Sequence, residues 1–275
     1  METFACIVCG GTKRSPLYNK NQWRLYKCDQ CSLGVLDPQP STEQLQNLYT
    51  KEYFESHYQE NLLLNSAQLR HRLKQENHRI RFFRKFKKAG SILDIGCGRG
   101  YFLLACSRKA YCVQGTDISD AAAAHVRSEF GIPVCVGELK SIELAKASFD
   151  VITMWHSLEH TADPNLYIRT AHEWLKSDGI LVVDVPNYEG YDARKFWDKW
   201  EHWDLPFHFY HFTPGSIIFL LEKHGFKVIK KKKYLSEYVK MNLENRAIPS
   251  FLARIIARFY SGSSIAIVAI KIKDE

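Results

Sequence analysis

Residues 92–102 read ILDIGCGRGYF, and the fold follows from them. The apolar run around Leu93 carries an acid, Asp94, and then a glycine stands at every second position: Gly96, Gly98 and Gly100. A short apolar run bounded by glycines reads as a buried strand. Glycines after a strand let backbone come close to a ligand, because no side chain intervenes. A dinucleotide loop has the spacing G-x-G-x-x-G; here Tyr101 occupies the place of the third glycine. Asp94 would repel a pyrophosphate and favour a ligand that carries positive charge.

Outward from this loop the chain alternates. After SILDIG (91–96) come a helical YFLLACSRKA, a strand YCVQGTDIS and a helix DAAAAHVRSEF stopped by Gly131. Then follow the strands IPVCVG and FDVITMWH, a helix PNLYIRTAHEWLKSDG and a strand ILVVDVPN. Strands that alternate with helices predict a parallel sheet covered by helices. An aromatic-rich insert over 188–212 precedes a helix with Thr213 as N-cap, Pro214 at its first position and Gly225 beyond its end. KVIKKKKYL and SSIAIVAIKIK read as two closing strands, the lysines suiting a sheet edge. Before the loop, residues 64–88 read as a basic amphipathic helix with Leu69, Leu73, Ile80, Phe83 and Phe86 as its stripe, ended by Gly90. Ser41 and Gln44 form a capping-box pattern for another helix.

Asp117 ends the next strand about twenty residues past the loop, where an acid accepts the two hydroxyls of an adenosine ribose. Ile118 stands beside it, and Glu138 and Leu139 follow the third strand, where an adenine would lie. An acid before the glycines and an adenosine-type pattern after them fit S-adenosylmethionine, which is cationic. Residues 91 to about 190 resemble a class I S-adenosylmethionine-dependent methyltransferase. The resemblance rests on LDIGCGRGYFL, VQGTDIS, GELKSIELAKASFDVITMWHSLEH and DGILVVDVPN. FDVITMWHSLEHTADP is especially like the branch of ubiquinone-type and sugar methyltransferases. The resemblance implies an α/β, Rossmann-like sheet of seven strands, the last antiparallel, with helices on both faces. It implies that Asp94, Gly96, Gly98 and Gly100 face the methionine part, Asp117 the ribose and Glu138 the adenine, with Cys97, Ile118 and Leu139 also binding the cofactor. Trp155 and His156 would lie beside the cofactor. Glu138 departs from the commoner aspartate.

Cys6 and Cys9, then Cys28 and Cys31, give C-x2-C-x18-C-x2-C. This spacing suits a structural zinc held by four thiolates. Forty residues cannot bury enough apolar surface to fold unaided, so a metal staple is expected. A zinc ribbon over 1–40, a linker and helical cap over 41–90 and a methyltransferase domain over 91–275 is the organisation expected. It resembles that of deoxysugar C-methyltransferases, which CSLGVLDPQPSTEQLQNLYTKEYF also resembles. The other four of the eight cysteines read as small core residues.

The insert WDKWEHWDLPFHFYHF is dense in aromatic residues and would cover the substrate pocket, as sugar-stacking walls or as an ordinary lid core. Methyl transfer needs alignment and sometimes a base. His208 is the first candidate, since in the C-methyltransferases resembled a histidine there is thought to act as base. His211 and His156 are the others; His160 reads as structural, and Asn187 and Tyr210 could orient an acceptor. The chain has no apolar run of membrane-spanning length and no signal-peptide pattern at its start, so a cytoplasmic location is expected. A small-molecule acceptor is the leading reading. A net charge of +8 and the basic helix also permit RNA methylation with the ribbon as a grip, and a non-catalytic binding module is the third reading.

Overall fold

The strand that carries Asp94 runs over Gly90–Ile95, and its inner residues Ile92, Leu93 and Ile95 are buried. In the computed structural model, which describes residues 4–41, 44 and 66–272, this strand is β4, after β1 (Arg14–Lys20), β2 (Trp23–Cys28) and β3 (Gly34–Leu36). The remaining strands are β5 (Tyr111–Asp117), β6 (Val134–Val136), β7 (Phe149–Trp155), β8 (Leu175–Pro186), β9 (Tyr210–His211), β10 (Phe226–Leu235) and β11 (Ser261–Lys271). The described helices are α1 (Ala67–Phe83), α2 (Tyr101–Ser107), α3 (Asp120–Phe130) and α4 (Pro164–Trp174). They continue with α5 (Tyr191–Phe196), α6 (Pro214–Lys223), α7 (Glu237–Glu244) and α8 (Ser250–Ala257).

Seven strands form one mixed sheet in the order β10-β11-β8-β7-β4-β5-β6. This is the class I methyltransferase fold. β4 pairs in parallel with both β5 and β7, and β5 with β6. Chain order reverses at β4, the place where open α/β sheets bind ligands beyond their strand ends.

Two compact units divide the chain: Met1–Gln39 with His156–Ile168 and Val183–Ala269, and Pro40–Trp155 with Arg169–Val182 and Ile270–Glu275. In the second unit, α1 is capped by Ser66 Oγ, which accepts from Leu69 N–H, and buries Leu69, Leu73, Ile80 and Phe83 as its stripe requires. The helix stops at Phe83 rather than at Gly90, because Phe86 N–H turns back to Phe83 C=O and ends the ladder. Gly90 instead opens β4 with φ +127. Ser41 and Gln44 make the reciprocal capping bonds; the rest of the helix expected after them lies outside the described residues. α4 also ends earlier than its sequence suggests, at Trp174, and Leu175–Gly179 belong to β8. Lys271 Nζ donates to His172 C=O and Leu175 C=O at this junction, satisfying carbonyls that the helix leaves open.

In the first unit a four-stranded antiparallel sheet has the order β1-β2-β3-β9. Its fourth strand comes from the aromatic insert: Gly34 pairs with His211 and Val35 with Tyr210. Leu36 N–H donates to Phe209 C=O at 2.9 Å, and Asn165 Nδ2 to Ile7 C=O at 2.8 Å. Tyr18 stacks on Trp203 with centroids 4.4 Å apart. Trp203, 1% exposed, is also met edge-on by Trp197 and Trp200. The dense aromatics of the insert therefore pack first as a core against the cysteine-bearing segment. α6 starts as the sequence predicts, with Thr213 and Ser216 in a capping box and Pro214 first.

Candidate functional site

β4 hands the chain to three glycines in the left-handed region: Gly96 at φ +77, Gly98 at +51 and Gly100 at +71. This accounts for the alternate spacing, since a side chain is strained at each such turn. A Cβ on Gly100 would also come within 2.7 Å of Val126 on α3. The loop is anchored from the next strand: Asp117 Oδ2 accepts from Gly98 N–H at 2.7 Å, and Oδ1 from Ser119 N–H at 2.9 Å. Ile118 is 55% exposed beside it, an apolar side chain open to a ligand. Glu138 is exposed and pairs with Lys140, while Leu139 is buried. Cys97 is buried under the loop, its thiol pushed up by burial. Asp94 is buried and accepts from Thr153 Oγ1 at 2.5 Å; desolvation raises its carboxyl to about 8. Trp155, the last residue of β7, packs edge-on against Phe102 and under the Arg79 guanidinium, and its Nε1 meets no acceptor.

His156 follows Trp155 and belongs to the other unit. Its φ is +53, unusual for a residue with a side chain, and its backbone N–H is held by Asp184 C=O. Such strain persists only where the surroundings over-determine it. Nδ1 lies 3.3 Å from Glu159 Oε1; Nε2 lies 3.5 Å from Ser264 Oγ and 4.0 Å from Asp184 Oδ1. The ring is about a third exposed and stacks on His202. His208 and His211 are buried. His208 Nδ1 donates to His202 C=O and His211 Nε2 to Trp203 C=O. Burial holds His211 down at about 4 and His208 well below the usual range, so both are neutral imidazoles at pH 7. His160, on the turn after β7, donates Nδ1 to Phe207 C=O and meets His208 edge-on at 4.5 Å. Tyr210 Oη donates to Ala162 C=O, and Asn187 is buried.

The four cysteines converge as their spacing predicts. Cys6 and Cys31 sulfurs are 3.6 Å apart, Cys9 and Cys28 sulfurs 3.5 Å, and all four lie within 4.8 Å of one another. These separations exclude disulfides, whose sulfurs lie ~2 Å apart. They match the ~3.8 Å edge of a tetrahedron with metal–sulfur bonds of ~2.3 Å. Each pair turns on a tight knuckle, with Gly10 N–H bonded to Cys6 C=O and Ser32 N–H to Cys28 C=O. The donor set fits Zn2+. Cys6 is drawn down to about 5 by its hydrogen bond with Cys31.

The methyltransferase domain family matches residues 66–231, more than half of the chain. The chain belongs to that family. A probable S-adenosylmethionine-dependent methyltransferase of Mycobacterium tuberculosis is 34% identical over 102 residues, 36% of each chain. A ubiquinone biosynthesis O-methyltransferase of Pseudomonas paraeruginosa is 31% identical over 103 residues, 35% of this chain and 44% of the relative. The chain thus spans under half the length of these two curated relatives. Among solved structures, an S-adenosylmethionine-dependent methyltransferase from Archaeoglobus fulgidus shares the fold, with a TM-score of 0.55 and 23% identity over 73% of this chain and 94% of its own.

Several polar residues of these sites escaped the sequence reading. Glu76 is buried on α1 and pairs with Arg72 at 2.8 Å and Arg79 at 3.0 Å. Its heptad-like place beside Leu69 and Leu73 was the signal, an acid within an apolar stripe. Asp184 interrupts ILVVDVP, and a lone acid in a buried strand needs partners; Tyr234 Oη donates to it at 2.5 Å. Glu159 was legible only as a neighbour of His160.

Asp94 gives a test that needs no ligand. Its folded value, about 8, exceeds the ordinary 3.8. Arg79 and Glu76 from α1, Asp117 from β5 and Thr153 from β7 surround it. The stability gained by keeping it protonated is full below about pH 3.8, declines as pH rises, and is gone above about 8. Asp94→Asn is expected to remove that decline, so thermal melts of both proteins between pH 5 and 9 should diverge in slope. Parallel curves would show that Asp94 is ionised throughout.

Proposed function

We propose that this chain is an S-adenosylmethionine-dependent methyltransferase whose acceptor is a small hydroxyl-bearing metabolite of sugar or nucleotide-sugar type. Asp94, Gly96, Cys97, Gly98, Gly100, Asp117, Ile118, Glu138, Leu139, Trp155 and His156 would bind the cofactor. The open face of Ile118 suits cover by its adenosine. The bound cofactor supplies an activated methyl on a sulfonium. The four cysteines would hold a structural zinc ion.

One observation carries the acceptor reading. Two buried carboxylates near His156 each have an oxygen that accepts no hydrogen bond, Oε2 of Glu159 and Oδ1 of Asp184. Buried acceptors of this kind call for donors, and hydroxyl groups are donors. Ubiquinone biosynthesis O-methyltransferase, named for O-methylation, is among the relatives. Of the three candidate bases, His156 meets the needs best. Glu159 beside Nδ1 favours Nδ1–H, which makes Nε2, facing Ser264 Oγ and Asp184 Oδ1, the accepting nitrogen of the ring. His208 and His211 would position the lid. In the reaction the acceptor hydroxyl gives its proton to His156 Nε2. S-adenosylmethionine, held by the residues named above, would supply the methyl group to that oxygen.

Two measurements test this reading. Asp117→Ala removes a carboxylate that accepts two backbone N–H bonds, each worth ~1.5–3 kcal/mol. Affinity for S-adenosylmethionine is expected to fall ~100-fold or more by calorimetry; an unchanged Kd would remove Asp117 from the site. Tritium from labelled S-adenosylmethionine should appear in the small-molecule fraction of a cell extract, and label in RNA would reverse the reading. Glu76 already engages Arg72 and Arg79 of the basic helix, which weakens its case as an RNA grip.

A further inference from the structure

The turn after β7 and the lid meet at three residues that the reaction above leaves unused or half used. One ligand atom each of Glu159, His160 and His208 lies within 4.8 Å of the others, all inside the first unit. Glu159 is 1% exposed, and its Oε2 accepts no hydrogen bond. Its other oxygen, Oε1, faces His156 Nδ1 at 3.3 Å. A carboxylate so enclosed is costly unless paired or bound to a metal.

Both imidazoles are oriented as metal ligands are. A backbone carbonyl only accepts, so the contact at 3.1 Å with Phe207 C=O fixes the proton of His160 on Nδ1. The contact at 2.9 Å with His202 C=O does the same for His208. Each Nε2 is left with its lone pair. Metal-ligating histidines hold their other ring nitrogen in this way. Phe209 N–H donates to Glu159 C=O at 2.9 Å, so the turn and the lid are tied by backbone at the same point. Asp204 Oδ2 stands 3.7 Å from His208 Nε2.

We infer that Glu159, His160 and His208 form a site for a divalent first-row transition metal ion, distinct from the four cysteines. Two imidazoles and one carboxylate select such ions over magnesium or calcium, and three ligands leave positions open to an oxygen ligand. A hydroxyl drawn to such an ion becomes more acidic, which would assist His156. This role rests on the methyl-transfer reading, but the presence of the site does not.

The test titrates Mn2+ into the zinc-loaded full chain and follows free Mn2+ by electron paramagnetic resonance. Manganese is a poor match for four thiolates, so the count reports the new site. About one equivalent is expected to bind. Glu159→Gln and His160→Gln should each weaken it at least tenfold while zinc content and the thermal melt stay as in the native protein. His160 is half-buried, so its variant keeps the test open if loss of Glu159 disturbs folding. No uptake of Mn2+, and no second equivalent of Co2+, would overturn the inference, as would uptake unchanged in both variants. Failure of the methyl-transfer reading would show separately, as absence of label transfer by a protein that still binds Mn2+.

Discussion

Cys28→Ser is expected to release the zinc, melt the small sheet and disorder the lid in one step. Structural zinc supplies ~10–16 kcal/mol to small domains, as much as the whole stability of a typical protein. Cys28 lies fully buried at the end of β2, and the strand after it, β3, pairs with β9 of the lid. Tyr188 Oη donates to Ser32 C=O inside the second cysteine knuckle, so the knuckle also holds the start of the insert. Loss of the metal should therefore expose residues 188–212 to protease, although the substitution is in a different part of the sequence. Metal analysis should fall from one zinc per chain to none, and limited proteolysis should cut in that insert. A chelator that strips zinc from the native chain should reproduce the pattern. An unchanged melt and digestion in Cys28→Ser would mean that the four cysteines do not hold a folding metal.

His156→Ala should lower kcat by ~100- to 10,000-fold, the range that a positioned base supplies, with the Kd for S-adenosylmethionine changed far less. Its ring stands between two buried carboxylates, with Glu159 Oε1 3.3 Å from Nδ1 and Asp184 Oδ1 4.0 Å from Nε2. His156→Gln keeps a hydrogen-bonding side chain but no base and should be nearly as slow. His208→Asn serves as the contrast: it alters the lid, so KM should move with kcat. A kcat for His156→Ala within threefold of native would take proton transfer away from this residue.

The strand–loop–helix pattern around Asp94 was fully legible. Alternation in period and the glycines that end α3 and precede α2 are local signals, and local sterics produce them. The boundaries that differ from the sequence reading lie at Gly90, read as a helix stop, and at 175–179, read as helix. Glycine marks a left-handed turn or a close approach equally well, and only the pairing of the strand decides. Gly90 is such a case, since a Cβ there would come within 2.5 Å of Asp150. Aromatic density in the insert pointed to packed rings but not to which faces they use. Trp200 and Trp203 are buried in packing, and only Trp197 among the three is exposed.

The sequence by itself determined the class of sheet, the left-handed glycine loop, the acid at the end of β5 and the convergence of the four cysteines. Each rests on spacing along a single stretch of chain, or on ligands fixed in close pairs. The tertiary structure alone decided that β9 completes the cysteine sheet, and that Glu159, Asp184 and Tyr234 join the histidines. Apart from Glu159, which is three residues from His156, those contacts link residues 28 to 177 positions apart in the chain. Their partners are selected by burial and hydrogen bonding in three dimensions, and no local periodicity encodes that choice.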